Sequence, residues 1–190
     1  MEKEKQLKFD TAYMNMAKIW SNNSHCRRKQ VGVLIVKDGM IISDGFNGTP
    51  SGMNNCCEDA AGETLWYTIH AESNALMKLA KSSNSSNGAT LYTTLSPCRE
   101  CSKLILQAGI HKVVYLAQHS DSVGLQLLQE AGVQVVQLID VVEFGKSSYD
   151  YNDLAYKARS LKSYFINKQE YDIAAYMRDI EKSIIDKELQ

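Results

Sequence analysis

The sequence predicts an α/β protein: a three-layer α/β/α domain built on a mixed five-stranded sheet, with a helical hairpin appended at the C-terminal end. Three observations carry this. The last three strand-like runs are each separated by a single helix-like segment, which implies parallel pairing through crossover connections. Two earlier runs are joined by a two-residue turn, which implies an antiparallel hairpin. After Glu143 the strand signals stop and the composition becomes that of helices.

The elements follow in chain order. Phe9, Tyr13, Met16, Ala17 and Trp20 recur at helical spacing, so a first amphipathic helix is expected, ended by Ser21-Asn22-Asn23-Ser24. Val31 to Val36 is a β-branched apolar run, and Asp38-Gly39 turns it into a second run from Met40 to Phe46. Asn47-Gly48-Thr49-Pro50-Ser51-Gly52 is dense in turn formers and must be a loop. His70 to Lys81 is helical in pattern, with Ala71, Ala75, Leu76 and Leu79 on one side. Thr90 to Leu95 is a strand. Pro97 suits the start of the helix that Cys101, Leu104, Ile105 and Ala108 continue to Gly109. Val113 to Ala117 is a short strand, a helix runs through Leu125, Leu128 and Ala131, and Val133 to Ile139 is the last strand. The domain is expected over residues 1–145 and the helical appendage over 151–190.

Composition limits the function. The 190 residues carry 21 Lys+Arg against 22 Asp+Glu, for a formal net charge of -1. That balance gives no overall electrostatic footprint for nucleic acid or an anionic membrane. No apolar run approaches the roughly 20 residues of a spanning helix. The charged start, Met1-Glu2-Lys3-Glu4-Lys5, lacks the apolar core of a secretory signal. A cytoplasmic, reducing location is therefore expected, and an odd set of five cysteines argues against a disulfide framework.

Two of those cysteines carry chemistry. His70-Ala71-Glu72 opens one helix and Pro97-Cys98-Arg99-Glu100-Cys101 opens the next. Cys98 and Cys101 share one face of a helical turn, so both sulfurs can reach one ion. A helix N-terminus favours thiolate over thiol. One imidazole and two thiolates leave the fourth tetrahedral position of a zinc ion open for water, which is a catalytic arrangement. Glu72 is placed to shuttle a proton of that water. The combination of H-x-E with P-C-x-x-C is the signature of zinc nucleobase deaminases.

Thr68 to Ala75 and Thr94 to Cys101 resemble the cytidine and deoxycytidylate deaminase superfamily. Cys26 to Val36, Asp44 to Gly52 and Leu104 to Ile110 resemble its deoxycytidylate (dCMP) branch, and the resemblance covers roughly residues 9 to 140. It implies a cytidine-deaminase-like fold and hydrolysis of dCMP to dUMP and ammonia, supplying dUMP for thymidylate synthesis. Glu72 would then protonate N3 of the cytosine and help expel the amine. Asn47 would bond the deoxyribose hydroxyl, and the backbone at Ala71 and Ser96 would hold the base edge. Arg28 and Lys29 stand for the phosphate, against the alternative of a solvated basic turn. His119 is a further phosphate candidate, in a loop where the family often carries an aromatic. Some members hold a second, structural zinc; here Cys26, Cys56 and Cys57, with His25, are its candidates, against the alternative of unmodified thiols. Members are commonly homo-oligomeric and regulated by dCTP and dTTP near the glycine-rich loop.

Lys168 to Ile180 resembles a UVR motif, a short helical hairpin used for protein contacts. Self-association is favoured over a foreign partner for its apolar stripe. Other readings stand beside dCMP. One is a deaminase of the same fold acting on dCTP, a free nucleoside or tRNA; another is a regulatory protein acting through its hairpin.

Overall fold

In a computed structural model the chain divides into two compact units, Met1–Asp140 and Val141–Gln190. The structure describes residues 2–138 and, beyond them, only Arg178 and Lys182, both helical. The hairpin read over 151–190 lies outside the described residues.

The elements are α1 (Glu2–Ser21), β1 (Gly32–Lys37), β2 (Met40–Phe46), α2 (Ala71–Leu79), β3 (Thr90–Leu95), α3 (Arg99–Gln107), β4 (Lys112–Ala117), α4 (Val123–Glu130) and β5 (Gln134–Gln137). Their order in the sheet is β2-β1-β3-β4-β5. The β1–β2 and β1–β3 pairs are antiparallel, and β3–β4 and β4–β5 are parallel. This is the mixed five-stranded sheet expected. Asp38 and Gly39 both adopt positive φ, 51° and 76°, as a two-residue hairpin turn of the twist-compatible kind requires.

Side chains of successive strand residues alternate between the two faces. On one face Val33, Ile35, Leu91 and Val113 pack with Ala71, Ala75, Ile105 and Leu128, so α2, α3 and α4 cover it. On the other, Leu34, Val36, Tyr92 and Val114 pack under Met14 and Ala17 of α1. Three layers result.

Two details depart from the sequence reading. The inward side of α1 is Asp10, Met14 and Ala17, while Phe9, Met16 and Trp20 stay partly exposed. The polar Asp10 is buried because Lys112 Nζ lies 2.8 Å from its Oδ2 and Tyr92 Oη donates to its Oδ1 at 2.6 Å. Gln6 donates to the same Oδ1 at 2.8 Å. Periodicity counts such a residue as solvent-facing. The last strand is shorter than Val133 to Ile139: it ends at Gln137, and Ile139 is not among the described residues.

Two glycines set the spacing around the site. A Cβ at Gly45 of β2 would collide with the Ala71 carbonyl and sit 2.7 Å from the Ala75 nitrogen, so α2 lies directly on the strand. A Cβ at Gly124 would sit 2.7 Å from the Pro97 oxygen and 2.8 Å from the Cys98 carbonyl carbon, so α4 presses on the start of α3.

Candidate active site

The residue that precedes the first turn of a helix normally uses a short polar side chain to cap it. At α2 that residue is His70 and at α3 it is Cys98; both have extended dihedrals and neither makes a side-chain cap. Breaking the local rule at two neighbouring helix starts frees an imidazole and a thiol for another task. They converge. His70 Nδ1 lies 3.4 Å from Cys98 Sγ and 3.4 Å from Cys101 Sγ. Tetrahedral zinc with its usual bond lengths separates a nitrogen and a sulfur ligand by about 3.5 Å. The donor set therefore fits the ion. Among the described residues it is the group of three or more metal donors that the fold gathers.

The protonation pattern agrees. Cys98 is held well below the ordinary thiol range by its hydrogen bond from Cys101, with the His70 hydrogen bond adding to it. Cys101 is pushed up by that same bond to Cys98 and by burial. The pair shares one proton as bare thiols, and a divalent cation beside them would hold both as thiolates. His70 is raised chiefly by its hydrogen bond to Cys98. Ser73 Oγ lies 3.8 Å from Cys101 Sγ, a hydroxyl next to the ligand sulfur.

Glu72 sits in the first turn of α2 and is 4% exposed. Burial raises its pKa above the usual carboxylate range, with the positive His70 opposing the shift. A buried carboxyl of this kind, beside the metal donors, is suited to pass protons.

Glu72 opens onto a cavity of about 190 Å³ whose lining also includes His70 and Cys98. The predicted substrate residues Asn47, Ala71, Ser96, Arg28, Lys29 and His119 all line it as well. Their side chains are not equally available. Asn47 bridges backbone, accepting from Val31 N at 2.8 Å and donating to Lys29 O at 2.8 Å. Arg28 pairs with Glu63 at 2.8 Å. Lys29 has no carboxylate partner among the described residues. Ser96 Oγ accepts from His119 N at 2.7 Å, and His119 Nδ1 accepts from Asp121 N at 3.1 Å. That second bond leaves Nε2 as the protonated nitrogen of the neutral ring. Asp121 is anchored by Arg99, whose Nε and Nη2 lie 2.9 and 2.6 Å from one carboxylate oxygen.

The remaining cysteines lie outside that donor group. Cys26 and Cys57 are joined by a disulfide, with Cα atoms 5.1 Å apart. Cys56 is exposed and donates to Glu58 O at 3.1 Å, and His25 lines a different cavity. This pairing differs from the reading of five unpaired cysteines, and a second zinc on Cys26, Cys56 and Cys57 stays an expectation from the sequence. Sequence separation of 31 hid the pairing. Sequence reading also missed Glu58, which lines the cavity and is 8% exposed. No spacing signals it, because its partners are backbone amides some 30 residues away.

A second cavity of about 520 Å³ lies along the glycine-rich loop, between Gly48, Thr49, Pro50, Ser51 and Gly52 and, on α2 and just after it, Asn74, Met77 and Lys81. No helix among the described residues is long and apolar enough to cross a membrane.

Comparison with known proteins agrees with this geometry. Deoxycytidylate deaminase from Schizosaccharomyces pombe is 38% identical over 143 residues, which is 69% of this chain and 44% of that protein. The Saccharomyces cerevisiae deoxycytidylate deaminase is 34% identical over 152 residues, with 48% of its length covered. The chain thus spans about half the length of these curated relatives. The Enterobacteria phage T4 deoxycytidylate deaminase is 33% identical, with 64% of this chain and 86% of that protein covered. Among solved structures, dCMP deaminase of the cyanophage S-TIM5 in complex with dCMP and dUMP superposes with a TM-score of 0.68 at 46% identity, covering 69% of this chain and 97% of that one. The model of the cytidine and deoxycytidylate deaminase zinc-binding region matches residues 7–117, a span that contains the donor triad and the buried glutamate: the chain belongs to the cytidine and deoxycytidylate deaminase family.

Proposed function

We propose that the protein hydrolyses dCMP to dUMP and ammonia. The observation that carries the reading is the buried Glu72 beside the His70, Cys98 and Cys101 donors, in a cavity whose rim bears Arg28, Lys29 and His119. The relatives named deoxycytidylate deaminase, and the cyanophage enzyme with its dCMP and dUMP, support the substrate.

His70, Cys98 and Cys101 would hold one zinc ion, which when bound would lower the pKa of an adjacent water towards neutrality. Glu72 takes a proton from the attacking water and delivers it to N3 of the cytosine. The water oxygen adds at C4; Glu72 then takes the proton of the new C4 hydroxyl and passes it to the amine, so that the C4–N4 bond breaks, the C4 carbonyl forms and ammonia leaves. The first-turn amide of Ala71 has no partner within α2 and is available to the base edge, opposite the backbone at Ser96. Asn47 keeps one amide hydrogen and one lone pair beyond its backbone bonds, enough to meet the sugar hydroxyl. Lys29, Arg28 and the Nε2–H of His119 hold the phosphate.

In this reading dUMP is supplied for thymidylate synthesis, in the cytoplasm. The chain acts as a homo-oligomer, with the dCTP and dTTP effectors at the glycine-rich loop. The second cavity supports the effector site, since Thr49 there has a buried Oγ1 with no hydrogen-bond partner among the described residues. The test is ammonia release by zinc-loaded protein from dCMP, dCTP, deoxycytidine and cytidine. Turnover of dCMP above the others is expected. Turnover of dCTP in its place moves the assignment to the triphosphate, and turnover of none overturns the reading.

A further inference from the structure

The segment that carries Arg28 and Lys29 belongs to no helix or strand. Something else must hold its two cations at the cavity. Glu58 Oε1 accepts from the backbone N–H of Arg27 at 2.9 Å and from that of Arg28 at 3.2 Å. The carboxylate is buried and itself lines the cavity. Two successive backbone amides turned to one point make a concavity suited to an anion. Its occupant here is the protein's own carboxylate. Two further links join the same segments: the Cys26–Cys57 bond and the Arg28–Glu63 ion pair.

We propose that Glu58 is a positioning residue for substrate recognition: by filling the amide nest of Arg27 and Arg28 it fixes the backbone of the cationic arm, so that the substrate's phosphate is read by the Arg28 and Lys29 side chains and not by the amides. The inference rests on the dCMP reading. It acts at the phosphate end of the substrate, away from Glu72, and therefore affects binding of the phosphorylated molecule and not proton transfer.

The experiment compares the zinc-loaded wild type with Glu58→Ala, Glu58→Gln and Glu58→Asp, using dCMP and deoxycytidine. Misplacing the arm so that one charge-assisted contact to the phosphate is lost weakens binding by about tenfold or more. Glu58→Ala is expected to raise KM for dCMP by about that factor with little change in kcat, and to lower the preference for dCMP over deoxycytidine equally. Glu58→Gln retains an acceptor oxygen and should recover most of the loss. Glu58→Asp keeps the charge, withdraws the oxygen and should show the same split if the alanine variant does not fold. An unchanged KM, a KM that falls because the freed amides bind phosphate, or an equal loss on both substrates overturns the inference. If the wild type turns over no dCMP, the underlying reading fails and takes the inference with it. If the wild type does so and the variants match it, only the inference fails.

Discussion

The metal corner and the cationic arm face one cavity and are built on opposite principles. At the corner, each donor side chain leaves a helix start and its position is inherited from regular backbone: His70 and Cys98 precede first turns, and Cys101 follows one turn later. At the arm, residues 26–29 have no regular backbone, and their position comes from side chains reaching across from residues 57–63 and from Asn47. In the proposed reading, chemistry that tolerates little displacement sits on helices, and recognition of a compact anion sits on a cross-linked loop. Rigid scaffolds with functional loops follow this division generally.

Breaking the corner has the largest expected effect. Glu72→Gln removes the proton carrier while keeping the shape and the metal donors. The turnover number should fall by about a thousandfold, within the range for general acid–base groups, with zinc content unchanged by elemental analysis. Retained turnover would transfer proton shuttling to another group.

Breaking the arm should leave the chemistry in place and loosen the fold. The Cys26–Cys57 bond closes a loop of 31 residues. Cys57→Ser, measured by denaturant unfolding, should lower stability by about 4 kcal/mol on the loop-entropy account. The same variant should raise KM for dCMP more than it lowers kcat. A loss confined to kcat would show that the disulfide serves the corner, and the contrast between the two regions would fail.

The smallest change sharpens the corner itself. Ser73→Ala deletes the hydroxyl 3.8 Å from Cys101 Sγ. Groups that bond a metal ligand typically contribute about tenfold or more to metal affinity. Chelator competition should show zinc held about tenfold less tightly, with turnover of the fully loaded enzyme nearly intact. Equal affinity would confine the sulfur's contacts to the helix start.

The same contrast explains what the amino-acid sequence discloses. Local signals were sufficient for the corner, because the spacing of Cys98 and Cys101 and the closeness of Glu72 to His70 are set by one helical turn. They were sufficient for the sheet as well: single helices between Thr90 and Val133, and the turn at Asp38-Gly39, define the parallel and antiparallel parts. The arm escaped. Glu58 gains its role from two amides 30 and 31 residues earlier, and Cys26 from a partner 31 residues later. Neither relation has a period to read. Asp10 escaped for a related reason, since its burial follows from Lys112, 102 residues on. Long-range polar pairs are decided by the finished fold, and local patterning cannot announce them.

Gly45 and Gly124 carry a consequence for changing this enzyme by laboratory evolution. Each lies where another element's backbone fills the space of a side chain, Gly45 against Ala71 and Ala75 and Gly124 against Pro97 and Cys98. Backbone cannot step aside as a flexible side chain can, so even alanine at either position must move a helix start that bears a metal donor. A mutant library directed at substrate preference can sample Lys29, which is exposed and has no carboxylate partner among the described residues, while these two positions act as fixed stops on the search.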